Sequence, residues 1–487
     1  MKPLAVFLQA SSHVSPVSYL KAVYNIADPV ISTVTATGDI LVRSIKNGEA
    51  VEQTYPAGTN SLSVQADANT PISVLGSISA LNISSANLIS ADVHGVSFTD
   101  AQFLNCARMN NLNTKKADNL ASVKVTYASS LLSADFSNNK NLASIDIENC
   151  GAISNIKLPQ TATLTSLIIT SCPLMSNVDL SGITTLTNLS LDKDTLLSSV
   201  DLSQNTGLVS LSINEIMAME SIDVSMLVNL EQLMADNTYL SELDVRNCAA
   251  LQQLWFKQPK AKVNILASGL QHLTLAGTPY SAPYGSSEEL SVDVSDCPAL
   301  QTLDLCYCTL GEIKASGCPS LQEIRMTGSV NVPVIDFTGT GVDVNDGTVV
   351  KATSIIARDG VFDMSTLAKA NRVDIGFQNA SISALKTIKT PQQQSVLSFG
   401  QTTYPALETL EIGNATGSVY YFTLTTTVSL STLKARAATS EYATKVAALV
   451  TSSNVADGVA YLNSADPYYS TIETAALAKG WTIEPLA

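Results

Sequence analysis

The chain has 487 residues, and Asp, Glu, Lys and Arg make up only 14% of them, against about a quarter in an ordinary globular protein; Ser, Thr and Asn fill the polar positions instead. Its 27 basic and 42 acidic side chains leave a net charge of −15, which argues against nucleic acid or an anionic membrane as the main partner. No apolar run of about 18 residues occurs, so membrane insertion is not expected.

At the N-terminus, Met1-Lys2 followed by residues 4–8 is too short, and too interrupted by Pro3 and Gln9, to read as a signal peptide. Residues 1–77 read as an N-terminal β module. Strands are expected at 31–36, 40–45, 50–54 and 61–65, punctuated by Gly38-Asp39, Asn47-Gly48 and Pro56-Ala57-Gly58. Asn47-Gly48 is a two-residue hairpin signal. Such a module would cover the open edge of the next element of the fold.

From residue 78 the chain is a repeat. Residues 164–229 read as three 22-residue lines, LTSLIITSCPLMSNVDLSGITT, LTNLSLDKDTLLSSVDLSQNTG and LVSLSINEIMAMESIDVSMLVN, with aliphatic residues at the same six or seven positions. Further lines begin at Ile78, Phe98, Leu120 and Leu142 before them, and at Leu230, Leu251, Leu270, Leu300 and Leu321 after them. About a dozen rungs therefore cover residues 78–341. Each line carries two short alternating segments, such as Leu186-Leu189-Leu191 and Leu197-Val200-Leu202, and alternation with period two predicts half-buried strands. One rung cannot bury its own apolar edge, but stacked rungs share one core.

These lines resemble leucine-rich repeats, and in particular the irregular bacterial class found in surface proteins of gut bacteria and of the phages that infect them. The 38–42 strand GDILV and the 71–76 strand PISVLG are similar to the small β module that precedes the repeats in those proteins. The resemblance implies a mainly β leucine-rich-repeat solenoid with an N-terminal β cap and an α-containing C-terminal cap. It leaves activity open, because such repeats are scaffolds for unrelated partners.

Beyond residue 341 the rhythm loosens. Residues 342–435 read as an irregular continuation, with strand-like pieces at 349–356 and 372–375, a helix-like piece at 364–370, and one repeat half at Leu407-Leu410-Ile412. Residues 436–487 read as a helical C-terminal cap. Ser440 is its expected N-cap, Glu441 lies in the first turn, and Tyr442, Val446, Leu449 and Val450 recur at helical spacing. A second helix is expected from Ser470 or Thr471 to Ala478, closed by Gly480, with Tyr461 and Trp481 as apolar anchors.

Catalytic signals are sparse. His13, His94 and His272 are isolated in sequence, and no nucleophile elbow, phosphate loop, zinc-protease or dinucleotide motif is present. Neither enzymatic activity nor a cofactor is expected. The 343–347 stretch DVNDG has the residue types of a calcium loop but not its spacing, and is expected to be an ordinary turn. Cys106, Cys150, Cys172 and Cys308 fall at the ninth position of their lines, and Cys248, Cys297 and Cys318 three residues before the next line. Reduced, structural thiols at rung corners are expected.

Two columns bear on partners. Asp92, Asp135, Asp179, Asp201, Asp223 and Asp244 stack on the second strand, as a solvated face or a weak site for cations or a basic partner. On the first strand the outward position varies from Gln102, Lys124, Asp146, Ile168, Ser190 and Ser212 to Met234, Trp255, Thr274, Asp304 and Arg325. A column that changes from rung to rung can encode a partner, whereas a uniform one cannot. Met234 beside Trp255 is its hot-spot candidate, with Ile168 and Thr274 on the same column. The insertion at 276–291 carries Tyr280 and Tyr284, which either project as contact residues or fold back over Trp255. The reading is a non-enzymatic binding or structural protein. Its expected partner is a protein or glycan on another subunit or a host surface, and oligomeric assembly is a further option. The virion is its expected location, with the bacterial cell surface or the extracellular space as the alternative.

Overall fold

The computed structural model describes residues 18–161, 163–257, 262–265, 269–277, 289–339, 348–367, 370–377, 384–391, 393–399, 405–412, 414–415 and 428–486. The chain divides into two units, residues 1–230 and 231–487. Each is mainly β and built of stacked rungs.

The first unit opens with a cap. Strand β1 (Ser18–Tyr24), β2 (Val30–Ala36), β3 (Ile40–Lys46), β4 (Glu49–Tyr55), β5 (Gly58–Ser63) and β6 (Pro71–Gly76) precede the first rung, whose two strands are β7 (Ile78–Ser84) and β8 (Leu88–His94). One sheet runs β4-β3-β6-β1-β8 with antiparallel neighbours, and Asn111–Lys116 then adds parallel to β8. In the other sheet β2 lies antiparallel to both β5 and β7. The cap thus gives two sheets of the first unit an antiparallel start, and the rung strands described after it in this unit pair in parallel. Asn47 and Gly48 both have positive φ, as the two-residue turn between β3 and β4 requires. Their N–H groups both donate to the Asp67 carboxylate. Strand β1 was not expected from the sequence, although Leu20, Ala22 and Tyr24 alternate inward with Tyr19, Lys21 and Val23 outward.

Past the cap the 22-residue period becomes a strand register. Val123, Ile145, Leu167, Leu189 and Leu211 pair in succession and are at most 1% exposed. Each such side chain adds roughly 1.5–3 kcal/mol by leaving water. The first strand ends at a residue of positive φ in rung after rung: Asn105, Tyr127, Asn149, Ser171, Lys193 and Glu215. The second segment of the three central lines departs from expectation: residues 177–181, 199–203 and 221–225 form no strand. Asp179, Asp201 and Asp223 instead accept the N–H of Ser181, Ser203 and Ser225 through Oδ1. The same turn follows the strands Ser133–Asp135, Glu242–Asp244 and Leu290–Asp293, so it ends the segment without deciding whether a strand forms.

In the second unit Leu233, Leu254, Leu273, Leu303, Ile324, Val350 and Val373 form a parallel buried ladder. Its other sheet ends in the parallel run Val361–Asp363, Thr387–Lys389, Thr409–Glu411, Thr432–Ala435, Val459–Leu462 and Thr482–Pro485. Both ladders therefore run through the segment where the sequence rhythm loosens. Of the helix expected at 364–370, the described residues 364–367 form no helix, and Ala370 already begins the Ala370–Phe377 strand. A helix at Ser440–Ser452 buries Tyr442, Val446, Leu449 and Val450 as expected, but Thr439 rather than Ser440 is the N-cap, accepting from the Tyr442 N–H. The Tyr469–Ala478 helix closes at Gly480, where φ is +80°. Trp481 is buried, and its indole donates to the Val455 carbonyl at 3.0 Å.

Candidate partner-binding face

On the first strand of a rung an outward residue stands between two buried ones, as Lys124 does between Val123 and Val125 and Trp255 between Leu254 and Phe256, so parallel pairing stacks these residues into a line. In the first unit the line is Gln102, Lys124, Asp146, Ile168 and Ser190; Ser212, expected to continue it outward, stands in register but is buried, with its hydroxyl donating to Asp192 Oδ1. Lys124 Nζ reaches Asp146 Oδ2 at 2.5 Å and Glu148 Oε1 at 2.8 Å. Burial opposes its charge, but the two carboxylates outweigh that and hold the ammonium above its ordinary pKa. Ile168 is half-buried, next to this cluster on one side and Ser190 on the other.

In the second unit Met234, Trp255, Thr274, Asp304, Arg325, Lys351 and Asp374 stand in register. The later rungs are tied by charge: Arg325 contacts Glu323 at 2.6 Å and Asp304 at 3.6 Å, and Lys351 contacts Glu323 at 2.6 Å. Met234, Trp255 and Thr274 carry no charge and are half-buried. On one side they are flanked by Gln232, Gln253 and His272, also in register. On the other side Lys257 closes a 2.7 Å pair with Asp236. His272 Nδ1 lies 3.2 Å from Thr302 Oγ1. The sequence reading singled out the central line and missed these flanks, although they stand two residues to either side on the same strand face. Tyr280 and Tyr284, like the 343–347 turn, lie outside the described residues.

The aspartate column is explained locally. Asp135, Asp179, Asp201, Asp223, Asp244, Asp293, Asp336 and Asp363 each accept the N–H two residues on. Ser137, with Lys115, holds the Asp135 carboxyl down to about 2. Among the described residues no three His, Cys, Asp or Glu side chains converge as a metal site.

The cysteine corner has its own geometry. Seven of the eight cysteines are buried, and Cys306 is half-buried. Cys106, Cys150, Cys172 and Cys308 direct Sγ at a main-chain carbonyl of the preceding rung, those of Ile83, Val125, Ile147 and Leu275, at 3.8, 3.9, 3.9 and 3.0 Å. Ser329, at the same position of its line, donates to the Leu305 carbonyl at 2.6 Å and accepts the Cys308 N–H at 3.2 Å. Small side chains that both donate and accept thus satisfy buried main-chain groups across the rungs.

No family model and no curated protein matches the chain. Among solved structures it is similar to the functional domain of InlJ from Listeria monocytogenes, described as including a cysteine ladder, at 16% identity over 82% of this chain and 72% of that one, with a TM-score of 0.41. It is also similar to an internalin, inlF, from Listeria monocytogenes strain 4b F2365, at 15% identity over 52% of this chain and 81% of that one, with a TM-score of 0.30. The fold assignment rests on the strand registers and the 22-residue repeat, not on these likenesses.

Proposed function

We propose that the chain is a non-catalytic leucine-rich-repeat binding protein whose face formed by the first strands of the rungs in the second unit contacts a protein or glycan. The observation that carries this reading is the uncharged line Met234, Trp255, Thr274, on a face whose later rungs are cross-tied by ion pairs. A Trp ring held in place by parallel pairing offers a large contact area at little entropic cost, and polar neighbours that are already placed can orient a partner. The sequence resemblance supports two settings for that contact: a phage virion, where the partner is another subunit or the host surface, and a bacterial cell surface, where it is a foreign molecule.

The test compares the full chain with its Met234→Ala, Trp255→Ala double variant, by light scattering and by retention on a panel of intact gut-bacterial cells. An oligomer that the variant dissolves supports the virion setting. A monomer whose cell retention the variant abolishes supports adhesion. Association or retention unchanged in the variant overturns the assignment of the face.

A further inference from the structure

Asp194 stands at the ninth position of its line, where lines 98, 142 and 164 carry Cys106, Cys150 and Cys172. We infer that the folded chain holds Asp194 as a neutral carboxylic acid, and that its ionisation is a pH-operated latch on the rung it closes. The side chain is fully buried. Its Oδ1 accepts the Cys172 N–H at 2.8 Å, the same cross-rung link that Ser329 makes to Cys308. Its Oδ2 is buried without a hydrogen-bond partner. By the 22-residue repeat, Asp194 takes the position from which Cys172 directs Sγ at the Ile147 carbonyl, and the residue equivalent to Ile147 for Asp194 is Ile169. A thiol, a hydroxyl or a protonated acid can donate there; a carboxylate cannot, and would add charge beside an acceptor.

Among the described residues no cation compensates that charge. Asp192, on the same rung, is acidic and is occupied by Ser190, Ser212 and the Asn214 N–H. Lys193 is half-exposed and engaged with Glu215 at 3.6 Å. The rung before presents Cys172, and the rung after presents buried Ile216. Burial pushes the Asp194 carboxyl up to about 8; the Cys172 N–H opposes the shift and the Asp192 charge adds to it. A group whose folded value lies above its unfolded one stabilises in acid. Between the ordinary carboxylate range and about pH 8 the folded chain keeps a proton that the unfolded chain lacks, so this rung loosens as pH rises.

The test is hydrogen exchange on the full chain between pH 5 and 8.5, corrected for the intrinsic rate, beside Asp194→Ser, which copies Ser329. Amides at 188–216 are expected to open about tenfold more per pH unit in the natural chain, and to show no such trend in the variant. An equal trend in both chains, or none in either, overturns the inference. Should the variant fail to fold, the carboxyl carbon shift of Asp194 in the natural chain decides. A protonated value held past pH 7 supports the latch, and a transition below pH 5 overturns it.

Discussion

Replacing Cys308 by alanine and, separately, by serine isolates what the corner thiols contribute. Cys308 is 4% exposed, and its Sγ lies 3.0 Å from the Leu275 carbonyl and 3.5 Å from that of Cys306. Alanine deletes the donor and leaves a buried carbonyl without a partner, a loss of about 1–3 kcal/mol. Serine removes nearly the same volume but keeps a donor, and Ser329 already makes the equivalent bond at 2.6 Å one line further on. The cavity contribution is therefore common to both variants, and the difference between them reports the hydrogen bond. Because S–H is a weak donor, the expected difference is about 1–2 kcal/mol in favour of serine. Urea unfolding followed by far-ultraviolet circular dichroism, with both variants fitted to a common slope, measures it. Equal midpoints for the two, or a more stable alanine variant, would refute a hydrogen-bonding role for the corner thiols and leave the cysteines as apolar filler.

The same geometry sets further outcomes. Leu189→Ala, in the fully stacked part of the first unit, should cost about 2–5 kcal/mol, read as a lowered urea midpoint. Arg436→Met should destabilise the chain by about 3 kcal/mol. It strips the guanidinium from Asp466, whose side chain is 3% exposed and whose carboxylate also accepts the Ala437 N–H; a thermal melt reads the loss. Burial alone would raise the Asp466 carboxyl, but Arg436 and Ala437 outweigh it and hold it low. The stability it gives is thus present above the ordinary carboxylate range and is lost as pH falls through its folded value. Asp135, held down to about 2, acts in the same direction, so Asp135→Asn should flatten the acid limb of the stability profile. Gly458→Ala should displace Trp481, because its Cβ would fall 2.5 Å from the indole Cε2; a red-shifted tryptophan emission is expected.

The solenoid was legible in the sequence because burial acts identically on every line. An aliphatic residue at positions 1, 4 and 6 marks the inward side of the first strand, and the observed register links those residues directly. The second strand was legible only in part. The same alternation appears in VDLS, but its Asp-x-Ser turn accompanies both outcomes, no strand at 177–181 and a strand at Leu290–Asp293, so the outcome was not readable from the line itself. The helix expected at 364–370 failed at its C-terminal end because Ala370 pairs with Thr348 in the Ala370–Phe377 strand, a long-range contact that local spacing does not reveal. Strand β1 was missed because its seven residues pair only with segments about 50 and 70 residues away. At the candidate face the outward line was readable from period two alone. Its ion pairs were not, because they depend on which neighbour lies in register. Asp194 was visible at the cysteine position of its line, but its consequence needed the carbonyls of the neighbouring rung.

The central claim, that the face formed by the first strands of the rungs makes the contact, is tested most directly by placing a photo-crosslinking p-benzoylphenylalanine at position 255 and, separately, at position 201 in the aspartate column. Each full chain is irradiated alone at high concentration and again on the intact cells that retain it. The account predicts adducts at 255 and none at 201. Adducts at 201, or none at 255 while the chain still associates or is retained, would contradict it.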